Sequence, residues 1–167
     1  MKYTRFEDVP VWQDAIQLAE EVYGLTDSKA WKGSWSLRDQ IERAVLSISN
    51  NVAEGFERGT TNELIAFLYI SRGSAGEVRS MLCFIERLWW GKDLKFQISD
   101  LKSKAESCSR QLRAWADHLQ NSGIKGQRHL TDQSRKSYVA GKEAEIFERD
   151  LLKHLPPDHP LRKRDPE

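Results

Sequence analysis

Along the chain, apolar side chains return at three- and four-residue steps, and no stretch alternates at the period of two that a half-buried strand needs. From Val9 to Leu25, the residues Trp12, Ala15, Ile16, Ala19, Val22 and Tyr23 form one stripe. Asp8 is the candidate cap there, and Pro10 fits a first turn, where its missing N–H would have had no helical partner. A second helix is predicted after a linker with Trp31, Gly33 and Trp35. Ser36 and Asp39 resemble a capping box, and Leu37, Ile41, Ala44, Val45, Ile48, Val52 and Phe56 keep the helical period until Gly55 and Gly59 bracket the end. Thr60 with Glu63 makes a cleaner box and opens the longest helix, which reaches Trp89 and is closed by Gly91. The fourth helix runs from Ser99 to Leu119, with Leu101, Ala105, Cys108, Leu112 and Trp115 in register.

Short connections favour antiparallel neighbours, so the predicted fold is all-α: an antiparallel up-down-up-down four-helix bundle over residues 1–122. Residues 123–167 read as a polar C-terminal extension, partly helical or disordered. Tyr138 to Leu155 could form a helix there, ended by Pro156, Pro157 and Pro160.

The third helix carries more apolar surface than one core can use. Leu64, Phe67, Leu68, Ala75, Val78, Leu82 and Ile85 form one stripe, while Ile65, Tyr69, Met81, Phe84 and Leu88 lie mainly off it. A helix apolar on two sides is either deeply buried or shared between chains, which predicts self-association. Gly73 and Gly76 in its middle each cost about 1 kcal/mol relative to alanine. A close backbone approach is the expected compensation, with Ala44 and Ala53 of the second helix opposite.

Composition narrows the function classes. Apolar residues make up 39% and charged residues 31%, and the net charge of +1 provides no global pull toward nucleic acid. Two distant cysteines, Cys83 and Cys108, suit a reducing cytoplasm and read as packing residues. No apolar run has the length of a signal core or a bilayer span, so a soluble cytoplasmic protein without a membrane partner is expected. The Glu-x-x-His pairs of a di-iron bundle are missing. His118, His129, His154 and His159 have no zinc spacing, and Gly55 to Gly59 lacks the Lys-Ser/Thr of a phosphate loop. The expectation is therefore no metal, no cofactor, no catalytic residues and no enzyme.

What remains is a polar ladder on the second helix, Gln40, Arg43, Ser47, Asn51, Glu54 and Arg58, facing Arg72, Ser74, Glu77 and Arg79 on the third. It reads either as a solvated face or as a structural cluster in which Asn51, Glu54, Arg72, Ser74 and Glu77 meet between helices, since buried charges persist only when paired.

Several segments together resemble a known family. They are Phe6-Glu7-Asp8 ahead of Val11-Trp12-Gln13, Gln40-x-x-Arg43-Ala44, Ser47-Ile48-x-x-Asn51-Val52-Ala53-Glu54-Gly55, and Phe67-Leu68-x-x-x-Arg72-Gly73-Ser74-x-x-Glu77. The family is that of small four-helix-bundle proteins encoded in 23S rRNA intervening sequences, which includes the accessory protein of diversity-generating retroelements. The similarity covers about residues 5–120. It implies a homopentameric ring with no known catalytic activity. For the retroelement branch it implies a nucleic-acid-binding barrel that partners a reverse transcriptase during the copying of a template RNA.

The resulting expectation is a non-catalytic scaffold that associates with itself and with structured RNA or DNA. Candidate contacts are Arg38, Arg43, Arg58, Arg79, Lys125, Arg128, Arg135 and Lys136. The alternative is a protein–protein adaptor ring without direct nucleic-acid binding. Residues 1–123 hold 16 basic and 17 acidic side chains, whereas residues 124–167 hold ten and eight, with Arg162-Lys163-Arg164 near the end. A ring would multiply any basic patch on the extension, because phosphate contacts sum.

Overall fold

The computed structural model describes residues 3–121 and 132–154. Contacts within the chain divide it into two units, Met1–Gln127 and Arg128–Glu167. Among the described residues all regular structure is helical. The first unit holds α1 (Pro10–Asp27), α2 (Trp35–Glu57), α3 (Thr61–Arg87) and α4 (Lys95–Gln120), with single 3-10 turns at Phe6–Asp8 and Gly91–Leu94. The second holds α5 (Asp132–His154), which begins six residues before the expected Tyr138.

Cross-helix contacts set the direction of each element. Ser71 and Ser74 of α3 meet Ile48 and Ser47 of α2, while Leu64 and Phe67 approach Gly55. Residue numbers thus rise on one helix as they fall on the other. The same antiparallel relation links α3 to α4, through Arg79–Glu106 and Glu86–Lys102. It also links α1 to α4, through Asp14–Gln111 and Glu21–Lys104. Helices α1 to α4 therefore form the expected up-down-up-down bundle. Its centre is filled by fully buried Leu18, Val22, Ile41, Ile48, Leu68, Leu82, Ile98 and Leu112, each worth about 1.5–3 kcal/mol of transfer free energy.

The caps follow local hydrogen bonding and differ in two places from expectation. Ser34, not Ser36, caps α2, its hydroxyl accepting from the Leu37 N–H at 3.3 Å. Asp8 lies inside the Phe6–Asp8 turn, so Val9 is the cap residue of α1 and Pro10 opens it. The Thr60 box is complete: its hydroxyl accepts from the Glu63 N–H at 3.2 Å, and the Glu63 carboxylate accepts from the Thr60 N–H at 3.2 Å. Helix α4 starts at Lys95, four residues ahead of the expected Ser99, because the Gly91–Leu94 turn feeds directly into it.

The glycines also correct the sequence reading. Gly55 is a buried member of α2 rather than its terminator, and a Cβ there would lie 2.6 Å from the Phe67 Cβ. Gly73 and Gly76 are exposed, with nothing within 4 Å of a built Cβ. At 3.6 residues per turn, Ser71, Ser74, Ala75 and Val78 face inward, which turns Gly73 and Gly76 outward. The intimate contact between α2 and α3 thus uses Gly55 and two serines instead. Gly91 admits no side chain at all, since a Cβ would fall 1.9 Å from the Ile85 carbonyl oxygen.

Candidate nucleic-acid interface

The candidate arginines of the bundle all have acidic neighbours, but the strength of each commitment differs. Arg38 acts as a clamp between α1 and α2. Its Nε donates to Glu42 at 2.7 Å, its Nη1 to the Thr26 carbonyl at 3.4 Å, and its Nη2 pairs with Asp27. The Asp27 hydrogen bond, with Glu42 behind it, raises the guanidinium above its ordinary pKa. Arg43 is far more open and makes a one-turn pair with Asp39 at 3.1 Å. Arg58 donates to Glu54 at 2.6 Å, lies 3.9 Å from Glu63, and sits over the Phe67 ring at 5.2 Å. Arg79 reaches Glu106 of α4 at 3.5 Å, a carboxylate that also meets Arg110 at 3.4 Å.

An exposed one-turn ion pair is worth about 0.3–0.5 kcal/mol. A phosphate can therefore replace Asp39 at Arg43 at small cost, whereas Arg58 is also held by Glu63 and the Phe67 ring. Replacement at Arg38 would undo a helix–helix clamp. Of the remaining candidates, Lys136 is an exposed residue of α5. Arg135 belongs to α5, with its side chain outside the described set, and Lys125 and Arg128 lie outside the described residues altogether.

The polar ladder divides into two parts. Asn51 donates to the Ser47 carbonyl at 2.6 Å and to its hydroxyl at 2.8 Å, and the Ser74 hydroxyl meets the same Ser47 oxygen at 2.9 Å. One turn away, buried Ser71 donates to the Ile48 carbonyl at 2.7 Å. Asn51 and Ser74 are thus joined between helices through Ser47. Glu54 is not part of that junction and pairs outward with Arg58. Glu77 is exposed, and Arg72 is half-buried beside the seam. The expected five-residue cluster is accordingly a seam of hydroxyls and an amide flanked by solvated charge. Burying several charges there would have cost more desolvation than the pairs return.

Sequence reasoning missed Ser71 and the bridging role of Ser47, although their spacing on facing helices was a usable signal. It also assigned both cysteines to packing. Cys108 is buried, and that burial pushes its thiol pKa up to about 11, whereas Cys83 is exposed on the outer side of α3.

One end of the bundle was overlooked as well. The α1–α2 linker and the α3–α4 corner meet there, joined by an edge-to-face contact of Trp31 and Trp90 at 5.0 Å between ring centroids. Trp35 (78% exposed), Trp89 (77%) and Phe96 (94%) project from the same end. Among the described residues no group of three or more His, Cys, Asp or Glu side chains is placed to hold a metal. No helix there is long and apolar enough to cross a membrane.

Compared with known proteins, residues 7–114 match the family model described as 23S rRNA-intervening sequence protein. No curated protein matches the chain.

Proposed function

The chain belongs to the 23S rRNA-intervening sequence protein family, and from that premise we propose that it is a non-catalytic scaffold of identical copies, five to a ring, that binds structured RNA or DNA. A reverse transcriptase is the enzyme partner that the resemblance implies. The observation that carries the assembly is the outer face of α3. Gly73 and Gly76 are exposed there in the middle of a 27-residue helix, among exposed Tyr69, Ile70 and Phe84. Each glycine costs the helix about 1 kcal/mol, and no neighbour among the described residues uses the space it leaves. A second copy brought against this face would use that space and cover the aromatic rings.

Assembly also supports binding. Each protomer offers few loosely held arginines, Arg43 foremost, but a ring repeats every phosphate contact, and counterion release sums over them. The adaptor reading draws support from the same ion pairs, since every bundle arginine in the candidate set already has a carboxylate. Light scattering with a simultaneous absorbance ratio, followed by anisotropy titration of a labelled structured RNA over a range of salt, separates these readings. The expected results are a mass several times 19.3 kDa and an affinity that falls steeply with salt. Gly73→Leu should leave helical circular dichroism intact and reduce the mass to that of a protomer. A monomeric wild-type protein refutes the assembly. An assembled protein that ignores RNA at low salt leaves only the adaptor.

A further inference from the structure

The exposed aromatics at the linker end coincide with an excess of positive charge. Residues 28–38 and 86–97 hold six basic and two acidic side chains, in a bundle whose residues 1–123 carry one more acid than base. The same two segments hold four of the six tryptophans. Antiparallel packing brings them to one end, and the Trp31–Trp90 contact joins them. Of the two acids, Glu86 is already held by Lys102 at 2.7 Å, which leaves Asp93. Arg38 is committed to its clamp. Lys29, Lys32, Arg87, Lys92 and Lys95 are exposed, and no carboxylate among the described residues lies within ion-pair distance of any of them. That sets them apart from the arginines on the helix faces.

Two facts make this end more than a solvated terminus. Trp35, Trp89 and Phe96 are each at least three-quarters exposed, which sets three large rings in water at one end of the bundle. They are also interleaved with lysines: Lys32 precedes Trp35 by three residues, while Lys92 and Lys95 lie between Trp89 and Phe96. Flat rings set among ammonium groups that have no ion pair among the described residues match a strand whose bases are free to stack and whose phosphates carry the charge. They do not match a regular duplex, whose bases are already stacked on one another.

We infer that the linker end of the bundle is a stacking platform for unpaired nucleic acid, in which Trp35, Trp89 and Phe96 receive bases while Lys32, Lys92 and Lys95 contact the phosphates. The inference rests on the nucleic-acid reading above and gives it a site and a substrate class: single-stranded stretches of an otherwise structured RNA. It also assigns the binding to side chains outside the set expected from sequence.

The test uses the full chain and two fluorescein-labelled probes of equal length, an oligouridylate and an RNA duplex, titrated by anisotropy. The single strand should bind more tightly. Trp89→Ala and Phe96→Ala should each weaken it about 5- to 150-fold, the range that loss of one base–aromatic stack produces, without changing the salt slope. Lys92→Ala and Lys95→Ala should each lower the slope of log affinity against log salt by about 0.7. Arg110→Ala, an exposed arginine on α4 away from this end, should change neither quantity. Because Trp89 and Phe96 are exposed, circular dichroism should register no loss of fold in their variants. Single-strand binding that is indifferent to both ring truncations, or a preference for the duplex, overturns the platform while the nucleic-acid reading stands. Failure to bind either probe at low salt removes both. A fall in assembly mass on Trp89→Ala, with binding per protomer unchanged, would mean that the end faces another copy, and overturns the platform too.

Discussion

Gly55→Ala is a one-carbon probe of how closely α2 and α3 approach. The added Cβ would stand 2.6 Å from the Phe67 Cβ, 3.3 Å from Leu64 Cδ1 and 3.4 Å from the Leu64 carbonyl oxygen. Carbon atoms prefer about 3.5–4.0 Å, and the nearest one is rooted on the α3 backbone, so no flexible side-chain tip can swing aside. The two helices must separate by nearly 1 Å locally, and overpacking of this kind costs about 1–3 kcal/mol. Alanine repays about 1 kcal/mol through its better helix propensity, leaving a net loss of about 0–2 kcal/mol. Gly24→Ala in α1 is the control, because nothing lies within 4 Å of its built Cβ and only the propensity gain applies. In thermal unfolding followed by circular dichroism, 1 kcal/mol moves the midpoint by about 2–4 °C at this chain length. Gly24→Ala should therefore raise the midpoint, while Gly55→Ala should leave it level or lower it. Equal and upward shifts would refute the close approach of α2 and α3.

Four further outcomes follow from single residues. Thr60→Ala removes one half of the α3 capping box and should cost about 1 kcal/mol in urea unfolding. A thiol reagent should titrate one cysteine in the native protein, exposed Cys83, and two after denaturation. Because the Cys108 thiol is pushed up to about 11 from an ordinary value of 9.0, the unfolded chain ionises first. The Cys108 contribution to stability should stay level below pH 9.0 and fall as pH rises toward about 11, a decline that Cys108→Ala should flatten. The hydrogen bond from Lys102 lowers the Glu86 pKa from 4.5. Its contribution is thus present above that value and lost as pH falls through the depressed one, so the midpoint difference between wild type and Glu86→Gln should close in acid.

The bundle was legible because its four stripes keep one period and its connections are short enough to force antiparallel neighbours. Thr60 was legible for a similar reason: donor, acceptor and spacing all sit within four residues. Gly55 and Gly73 were not, since each is a glycine inside an apolar pattern and only the phase of the facing helix decides which of them is crowded. Asn51 and Ser74 could be assigned to a common seam, but Glu54 and Glu77 could not be separated from it without knowing the few tens of degrees that turn them to water. The ion pairs of Arg38 and Arg79 cross between helices, so a reading confined to one helix at a time treats both side chains as free. The exposure of Trp35, Trp89 and Phe96 escaped notice because they sit at element ends, where periodicity no longer assigns a face.

The hydroxyl seam has a mechanical consequence. Two helices in contact only through leucines can slip one turn along each other and find a nearly equivalent fit. Here such a slip would pull Ser71 from the Ile48 carbonyl and Ser74 from Ser47, stranding buried polar atoms at once. Axial alignment of α2 and α3 is therefore stored in the seam and not in the three residues, Arg58 to Thr60, that join them. That connection should accept inserted residues, or a relocated chain terminus in a permuted gene, without loss of register. The corner at Gly91, where backbone presses on backbone, should accept neither.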